Sequence, residues 1–243
     1  ALNDLLSEYS PLLERYSIDE SFLDITETLA LRKQSPVDIA REIADRVKTV
    51  LGFTVNIGIS SNKLLAKIAS DFEKPDKVHT LFPDEIPEKL WVLPVRDLFM
   101  VGRHTAPRLY RLNIFSVGQL ANADPQFLKA HFKSFGNLLW QYANGIDDSP
   151  VNPSRTPVKC IGNSTTTPFN IDNEKEALLF LLSLVETASS RLRAARLLAQ
   201  VVSVSIRKTD LTFFSHQRKL LTPTDNTESL FKAARSLFRE LWD

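Results

Sequence analysis

Asp19 and Glu20 stand side by side between two short apolar runs, and Lys63 and Lys67 stand four residues apart farther along. Paired carboxylates offer hard oxygen donors of the kind that suit Mg²⁺ or Mn²⁺. A lysine ammonium is a compact positive charge suited to phosphate. The acids belong to the stretch Arg15-Tyr16-Ser17-Ile18-Asp19-Glu20-Ser21-Phe22-Leu23-Asp24-Ile25-Thr26. Leu12, Leu13, Tyr16 and Ile18 read as one strand, and Phe22, Leu23 and Ile25 as a second. The acid pair then falls where two antiparallel strands meet. On these residues alone two readings stand. The pair is a solvated turn, or it is a cradle for a cation, since unpaired carboxylates in an apolar hairpin are costly.

The elements that must position these groups follow in order. Ala1 to Tyr9 reads as the tail of a helix, and without an initiator Met the chain is expected to be a fragment. Ser35 caps and Pro36 opens a helix whose Ala40, Ile43, Ala44, Val47, Val50 and Leu51 recur at helical spacing, with Gly52 closing it. Residues 53–60 alternate as a strand. Asn62 to about Phe72 is a second helix that places Lys63 and Lys67 on one face and Leu64, Leu65, Ile68 and Ala69 toward a core. The two lysines are a solvated face, or they reach the phosphates of a nucleotide held by metal ions.

From residue 84 to 155 the strand signal fades and short helical patterns take over. Leu98-Phe99-Met100-Val101-Gly102-Arg103-His104-Thr105-Ala106-Pro107-Arg108-Leu109 resembles a helix-hairpin-helix motif, and Lys133-Ser134-Phe135-Gly136-Asn137-Leu138-Leu139-Trp140 a weaker second copy. Such hairpins aim backbone N–H groups at a DNA phosphate, which makes Gly102, Arg103, Thr105 and Gly136 candidate DNA contacts. The alternative is an ordinary loop between packed helices. Residues 145–153 form a turn-rich linker. The remainder reads as strand (Val158 to Ser164), helix (Asn173 to Arg196), strand (Gln200 to Arg207), strand (Thr212 to Leu220) and helix (Thr227 to Trp242). Val202, Val204 and Ile206 face a core, and Ser203, Ser205 and Arg207 face out. His216 and Arg218 join them as candidate phosphate contacts, unless the open face is only a polar surface.

Composition narrows the class. The 243 residues are 43% hydrophobic and 24% charged, an ordinary globular balance with room for two or three domains. No apolar run is long enough to suggest a membrane span. The lone Cys160 excludes an internal disulfide framework and fits a reducing, cytoplasmic setting. Zinc-type Cys/His spacing and a glycine-rich phosphate loop are both absent from the sequence. Residues 1–83 carry 10 basic and 13 acidic side chains (net −3), residues 84–155 carry 8 and 7 (net +1), and residues 156–243 carry 12 and 9 (net +3). An acidic front and a basic rear suit a metal site followed by a phosphate-binding surface.

Taken together, Tyr16-Ser17-Ile18-Asp19-Glu20-Ser21-Phe22-Leu23-Asp24 and Asn56-Ile57-Gly58-Ile59-Ser60-Ser61-Asn62-Lys63-Leu64-Leu65-Ala66-Lys67-Ile68-Ala69-Ser70 resemble the two palm motifs of Y-family, translesion DNA polymerases, closest to bacterial DinB/UmuC-type members. The hairpin region resembles their thumb. Ile161-Gly162-Asn163-Ser164-Thr165-Thr166 and the later strands resemble their little finger. The resemblance implies a multi-domain α+β chain: partial palm (1–83), all-α thumb (84–155) and a β-α-β-β-α little finger (156–243) lacking a final strand. It implies two-metal nucleotidyl transfer with Mg²⁺, or Mn²⁺, held by Asp19 and Glu20 as the family's second and third catalytic carboxylates. Lys67 matches the triphosphate-contacting lysine, Lys63 a neighbouring basic position, and Asp24 a structural one. Primer-template DNA and dNTP are the implied partners, with a sliding clamp engaged through a segment outside this chain. The family's first metal-binding aspartate and its fingers are also expected outside it, so the chain by itself is expected not to polymerise. Met100 stands where the family commonly has glycine.

Two other readings compete. A non-catalytic, damaged-DNA-binding protein on the same scaffold would have no need of Asp19-Glu20 beside Lys67. A nucleotide cyclase on a palm-type fold would leave the hairpin segments and the basic C-terminal sheet unexplained.

Overall fold

Apolar residues at helical spacing supply most of the buried surface. A computed structural model describes residues 1–154 and 158–242. The order of elements is α1 (Leu2–Ser7), β1 (Leu13–Arg15), β2 (Ser21–Leu23), α2 (Thr26–Arg32), α3 (Pro36–Arg46), β3 (Ile57–Ile59), α4 (Lys63–Ser70), β4 (Val78–Thr80), α5 (Ala106–Tyr110), α6 (Val117–Ala121), α7 (Pro125–Phe132), α8 (Ser134–Ala143), α9 (Glu174–Ala194), β5 (Ala199–Arg207), β6 (Phe213–Thr224) and α10 (Thr227–Arg239). The class is α+β, with small two-stranded ladders among helices. Contacts divide the chain into two compact units, 1–155 and 156–243.

In the first unit β1 and β2 pair antiparallel, with Leu13 opposite Leu23 and Glu14 opposite Phe22. The amides of Tyr16 and Ser17 both donate to the Glu20 carbonyl at 3.0 Å and close the turn. Helix α3 starts as its sequence dictates: the Ser35 hydroxyl accepts from the Asp38 amide at 3.1 Å and Pro36 takes the first turn. It runs on through a wider π turn, Val47–Leu51, to Gly52 in the left-handed region. Ile39, Ile43 and Val47 pack with Leu5 and Tyr9 under the hairpin.

Strands β3 and β4 are parallel and α4 connects them. Helix and strand touch at Gly58, where a Cβ would lie 1.9 Å from the Ala66 carbonyl oxygen. The opposite demand is met by Leu64, Leu65, Ile68 and Ala69, all buried. They join a core that continues through Leu81, Leu90, Val95, Leu109, Val117, Leu128 and Leu139 to Ala143. Packing is therefore continuous across residue 83. Helices α7 and α8 meet closely at Gly136, where a Cβ would lie 2.3 Å from the Leu128 carbonyl oxygen.

In the second unit α9 and α10 cover one face of the antiparallel β5–β6 ladder, with Val204, Ala234, Leu237 and Phe238 buried between them. The strand expected over Val158 to Ser164 does not form. A strand exists by its ladder, and none of these residues pairs with β5 or β6. The Gly162 carbonyl instead accepts from Arg191 of α9 at 2.8 Å. Among the described residues the order in this unit is α-β-β-α. No helix of the described residues is long and apolar enough to cross a membrane.

Gly136→Ala should lower the unfolding free energy by about 1–3 kcal/mol, because backbone must move to admit the methyl group, and Gly58→Ala should cost at least as much. Gly102→Ala, whose Cβ would meet nothing within 4 Å, should stay within about 0.5 kcal/mol. Urea unfolding of the three variants checks the ranking.

Candidate active site and nucleic-acid interface

The hairpin turn and the lysine helix come together. Glu20 Oε1 lies 2.5 Å from Lys67 Nζ, although 47 residues separate them in sequence. Lys67 also pairs with Asp71 at 3.0 Å, and Asp71 with Lys74 at 2.8 Å. The Lys67 side chain is only 15% exposed. Burial pulls its pKa down, but the hydrogen bonds it donates to Glu20 and Asp71 outweigh that and hold it above the usual lysine value. Lys67 therefore keeps its charge beside the acids.

Asp19 projects into solvent. Its carboxylate accepts from the Ser17 hydroxyl at 2.6 Å, and that bond, with its own backbone amide and the more distant Lys67 and Lys74, holds its pKa below the usual carboxylate value. Asp24 is structural: Oδ1 accepts from the Thr26 amide at 3.0 Å and the Thr26 hydroxyl at 2.6 Å at the start of α2.

Lys63 takes a different partner from Lys67. Its ammonium lies 2.9 Å from Glu14 on β1 and 5.5 Å from the centre of the Phe22 ring. Glu14 also accepts from the Asn152 amide at 2.8 Å. The Leu64 amide at the start of α4 is capped by Asp147 at 3.2 Å, and Asn62 donates to the Gly145 carbonyl at 2.8 Å. The segment 145–152 thus clasps α4 and β1. Sequence reasoning missed Glu14, Asp71, Asp147 and Asn152. Only Asp71, four residues after Lys67, carried a local signal.

Among the described residues no group of three or more His, Cys, Asp or Glu side chains is placed to hold a metal ion. Asp19 and Glu20 nevertheless have the donor chemistry for one. Mg²⁺ is commonly held by one or two carboxylates with substrate phosphates completing its shell. The solvent-facing Asp19 carboxylate leaves room for such a shell, and Glu20 brings its lysine partner to the same place.

In the first hairpin Met100 has φ +72°, a left-handed conformation that favours glycine. The backbone N–H groups of Gly102, Arg103 and His104 have no protein acceptor among the described residues, and the space before Gly102 is open. Thr105 is half-buried at the start of α5. In the second hairpin Lys133 carries the positive φ, +58°, and the Ser134 and Phe135 amides lack protein acceptors. Gly136 itself is buried against α7 and serves that packing.

In the second unit the register separates residues that sequence reasoning had grouped. Arg218 stands opposite Val202 and His216 opposite Val204, so both lie on the helix-covered face. There Arg218 donates to Ser236 at 3.0 Å and pairs with Glu240, and His216 Nδ1 lies 3.3 Å from Glu240. The open face instead carries Ser203, Ser205 and Arg207 with Phe213, Ser215, Gln217 and Lys219.

The impB/mucB/samB family model matches residues 1–71, and the impB/mucB/samB family C-terminal domain model matches residues 158–243. The chain is 43% identical over 242 residues to DNA polymerase IV of Clostridium acetobutylicum, covering 100% of this chain and 61% of that protein. It is 40% identical over 247 residues to DNA polymerase IV 2 of Bacillus subtilis, covering 98% and 60%. It thus spans about 60% of the length of the curated relatives it matches. Among solved structures, a Y-family DNA polymerase chimera of Dbh and Dpo4 is similar with a TM-score of 0.86 at 25% identity, covering 99% of this chain and 68% of that one. An insertion ternary complex of Dbh DNA polymerase is similar with a TM-score of 0.60 at 25% identity, covering 99% and 68%.

Two outcomes follow from this geometry. Burial pushes the Glu14 pKa up, but the Asn152 amide and Lys63 outweigh it and hold it below the usual value. A depressed folded-state pKa contributes stability above the unfolded carboxylate pKa and loses it as pH falls through the folded one. Glu14→Gln should therefore lower stability near neutral pH and flatten the loss below about pH 5, as followed by thermal melts across pH. Met100→Gly should raise stability by about 1 kcal/mol by relieving the left-handed strain, measured by urea unfolding.

Proposed function

Because the chain belongs to the impB/mucB/samB family of Y-family DNA polymerases, we propose that it serves template-directed DNA synthesis across damaged DNA. In this reading residues 1–83 are the acid-bearing part of the palm, 84–155 the thumb and 156–243 the little finger. The observation that carries it is the meeting of Glu20 with Lys67 at 2.5 Å. A binding module has no use for an acid turn beside a charged lysine.

The residues divide the work as follows. Asp19 and Glu20 would hold divalent metal, Mg²⁺ or Mn²⁺, which supplies Lewis-acid stabilisation of the charge on a transferring phosphoryl group. Lys67 is held charged and partly desolvated, so its field at a nearby triphosphate is screened less than that of a surface lysine. Its ammonium has three donors, enough to serve Glu20 and a phosphate oxygen together. Glu14 holds both Lys63 and the Asn152 amide, which supports a positioning role for Lys63 next to the nucleotide-contacting role of Lys67.

DNA would be bound by charge and backbone. The free amides at Gly102 to His104 and at Ser134 to Phe135 face phosphates, and Arg103 and Thr105 flank the first set. Ser203, Ser205 and Arg207, joined by Gln217 and Lys219, supply polar and cationic contacts from the open sheet. Catalysis is proposed to need a further carboxylate from outside these 243 residues, since no group of three or more acids among the described residues is placed to hold a metal ion. The second reading, damaged-DNA binding without catalysis, would make the acid pair dispensable.

The test places this sequence in a polypeptide of the relatives' full length. Asp19→Ala should reduce primer extension by at least roughly 100-fold while primer-template affinity stays within about twofold. Retained extension would overturn the metal assignment.

A further inference from the structure

A cleft of about 170 Å³ opens between α5 and the end of α7, lined by Arg108, Arg111, Leu112, His131 and Phe132. None of its lining residues belongs to the acid turn or to the Gly102–His104 turn. Sites for nucleotides or other drug-sized molecules run to roughly 300–1,000 Å³, so this volume suits one compact group. The lining decides its sign: two guanidinium groups and an imidazole stand over an apolar floor, and no carboxylate is among them.

Arg108 is fixed. Its guanidinium lies 4.4 Å from the centre of the Phe132 ring and donates to the His131 carbonyl at 2.6 Å. A capping role for the last carbonyls of α7 accounts for that contact. It does not account for Arg111, which makes no side-chain hydrogen bond or ion pair among the described residues and still faces the same cleft. The His131 ring is steadied edge-on by Phe127 at 4.6 Å. From residue 98 to 133 there are five Arg and Lys against one acid. That acid, Asp124, caps the opposite end of α7 through the Gln126 amide at 2.9 Å. The cleft therefore holds positive charge that the protein itself does not neutralise.

We propose that this cleft is an additional phosphate site, separate from the amides of the two hairpin turns, and that it takes one phosphodiester of a bound DNA strand. The choice of a DNA phosphate follows from continuity: Phe132 is directly followed by Lys133 and the unpaired Ser134 and Phe135 amides. The proposal rests on the DNA-binding reading above. Arg111 is the residue that reaches the phosphate, and Arg108 shapes the cleft.

The test is fluorescence anisotropy of the full 243-residue chain with a labelled primer-template duplex over a series of KCl concentrations. Arg111→Ala should weaken binding about three- to tenfold at low salt and reduce the slope of log affinity against log salt by about 1, the value for one lost phosphate contact. Arg111→Lys should keep most of the affinity. Arg41→Ala, an exposed arginine elsewhere, should change neither quantity, and the unfolding midpoint of Arg111→Ala should match the parent. If the parent chain binds with a normal salt slope and Arg111→Ala is unchanged, the cleft proposal falls while the DNA-binding reading stands. An equal loss in Arg41→Ala, or binding of a polyglutamate peptide but not of the duplex with the same Arg111 dependence, would also overturn it.

Discussion

Burial of one face of α4 is the constraint on which the rest depends. Leu64, Leu65 and Ile68 are each at most 4% exposed, and each contributes about 1.5–3 kcal/mol. The ion pair between Glu20 and Lys67 contributes less, on the order of 1 kcal/mol, because Glu20 is 36% exposed and solvent screens it. The core therefore fixes the helix, and the helix delivers Lys67 to the acids. The helical segment that supplies most of that core, residues 81–143, thereby helps to position Lys67 beside the acid turn. The same anchoring explains why Gly58 has no side chain: strand and helix must touch for the lysine face to sit at the right height.

Charge is then arranged around that fixed helix in two tiers. Lys67 serves the turn that carries Asp19 and Glu20, while Lys63 serves Glu14 and, through it, the backbone of Asn152. The two lysines share a helix face yet have separate tasks. One stays beside the partly exposed acids Glu20 and Asp71. The other is closed into a structural clasp. Two lysines one helical turn apart are thus distinguished by their partners.

Much of this was legible from residue patterns. The apolar face of α4, the Ser35–Pro36 start of α3 and the strict alternation of β5 each reflect a single local period, and each formed. The register of β6 was not legible, because aromatic and polar residues occur on both of its faces. His216 and Arg218 turn inward to reach Glu240 and Ser236, and no apolar pattern announces a polar contact of that kind. The 158–164 segment has strand-like residues, but a strand needs a neighbour, and pairing is a property of the whole unit. Glu14, Asp147 and Asn152 reach α4 across long sequence separations, beyond the range of any local signal. Met100 was visible as an unusual residue in a glycine position, and its positive φ shows that the turn geometry is kept at a cost in strain.

The central claim is that Asp19 and Glu20 form an ion site alongside Lys67. The most direct measurement is paramagnetic relaxation by Mn²⁺, read residue by residue by NMR on the 243-residue chain. The account predicts broadening centred on residues 17–22 that extends to α4 and is lost when Asp19 and Glu20 are both changed to their amides. Broadening centred elsewhere, or undiminished in that double variant, would contradict it.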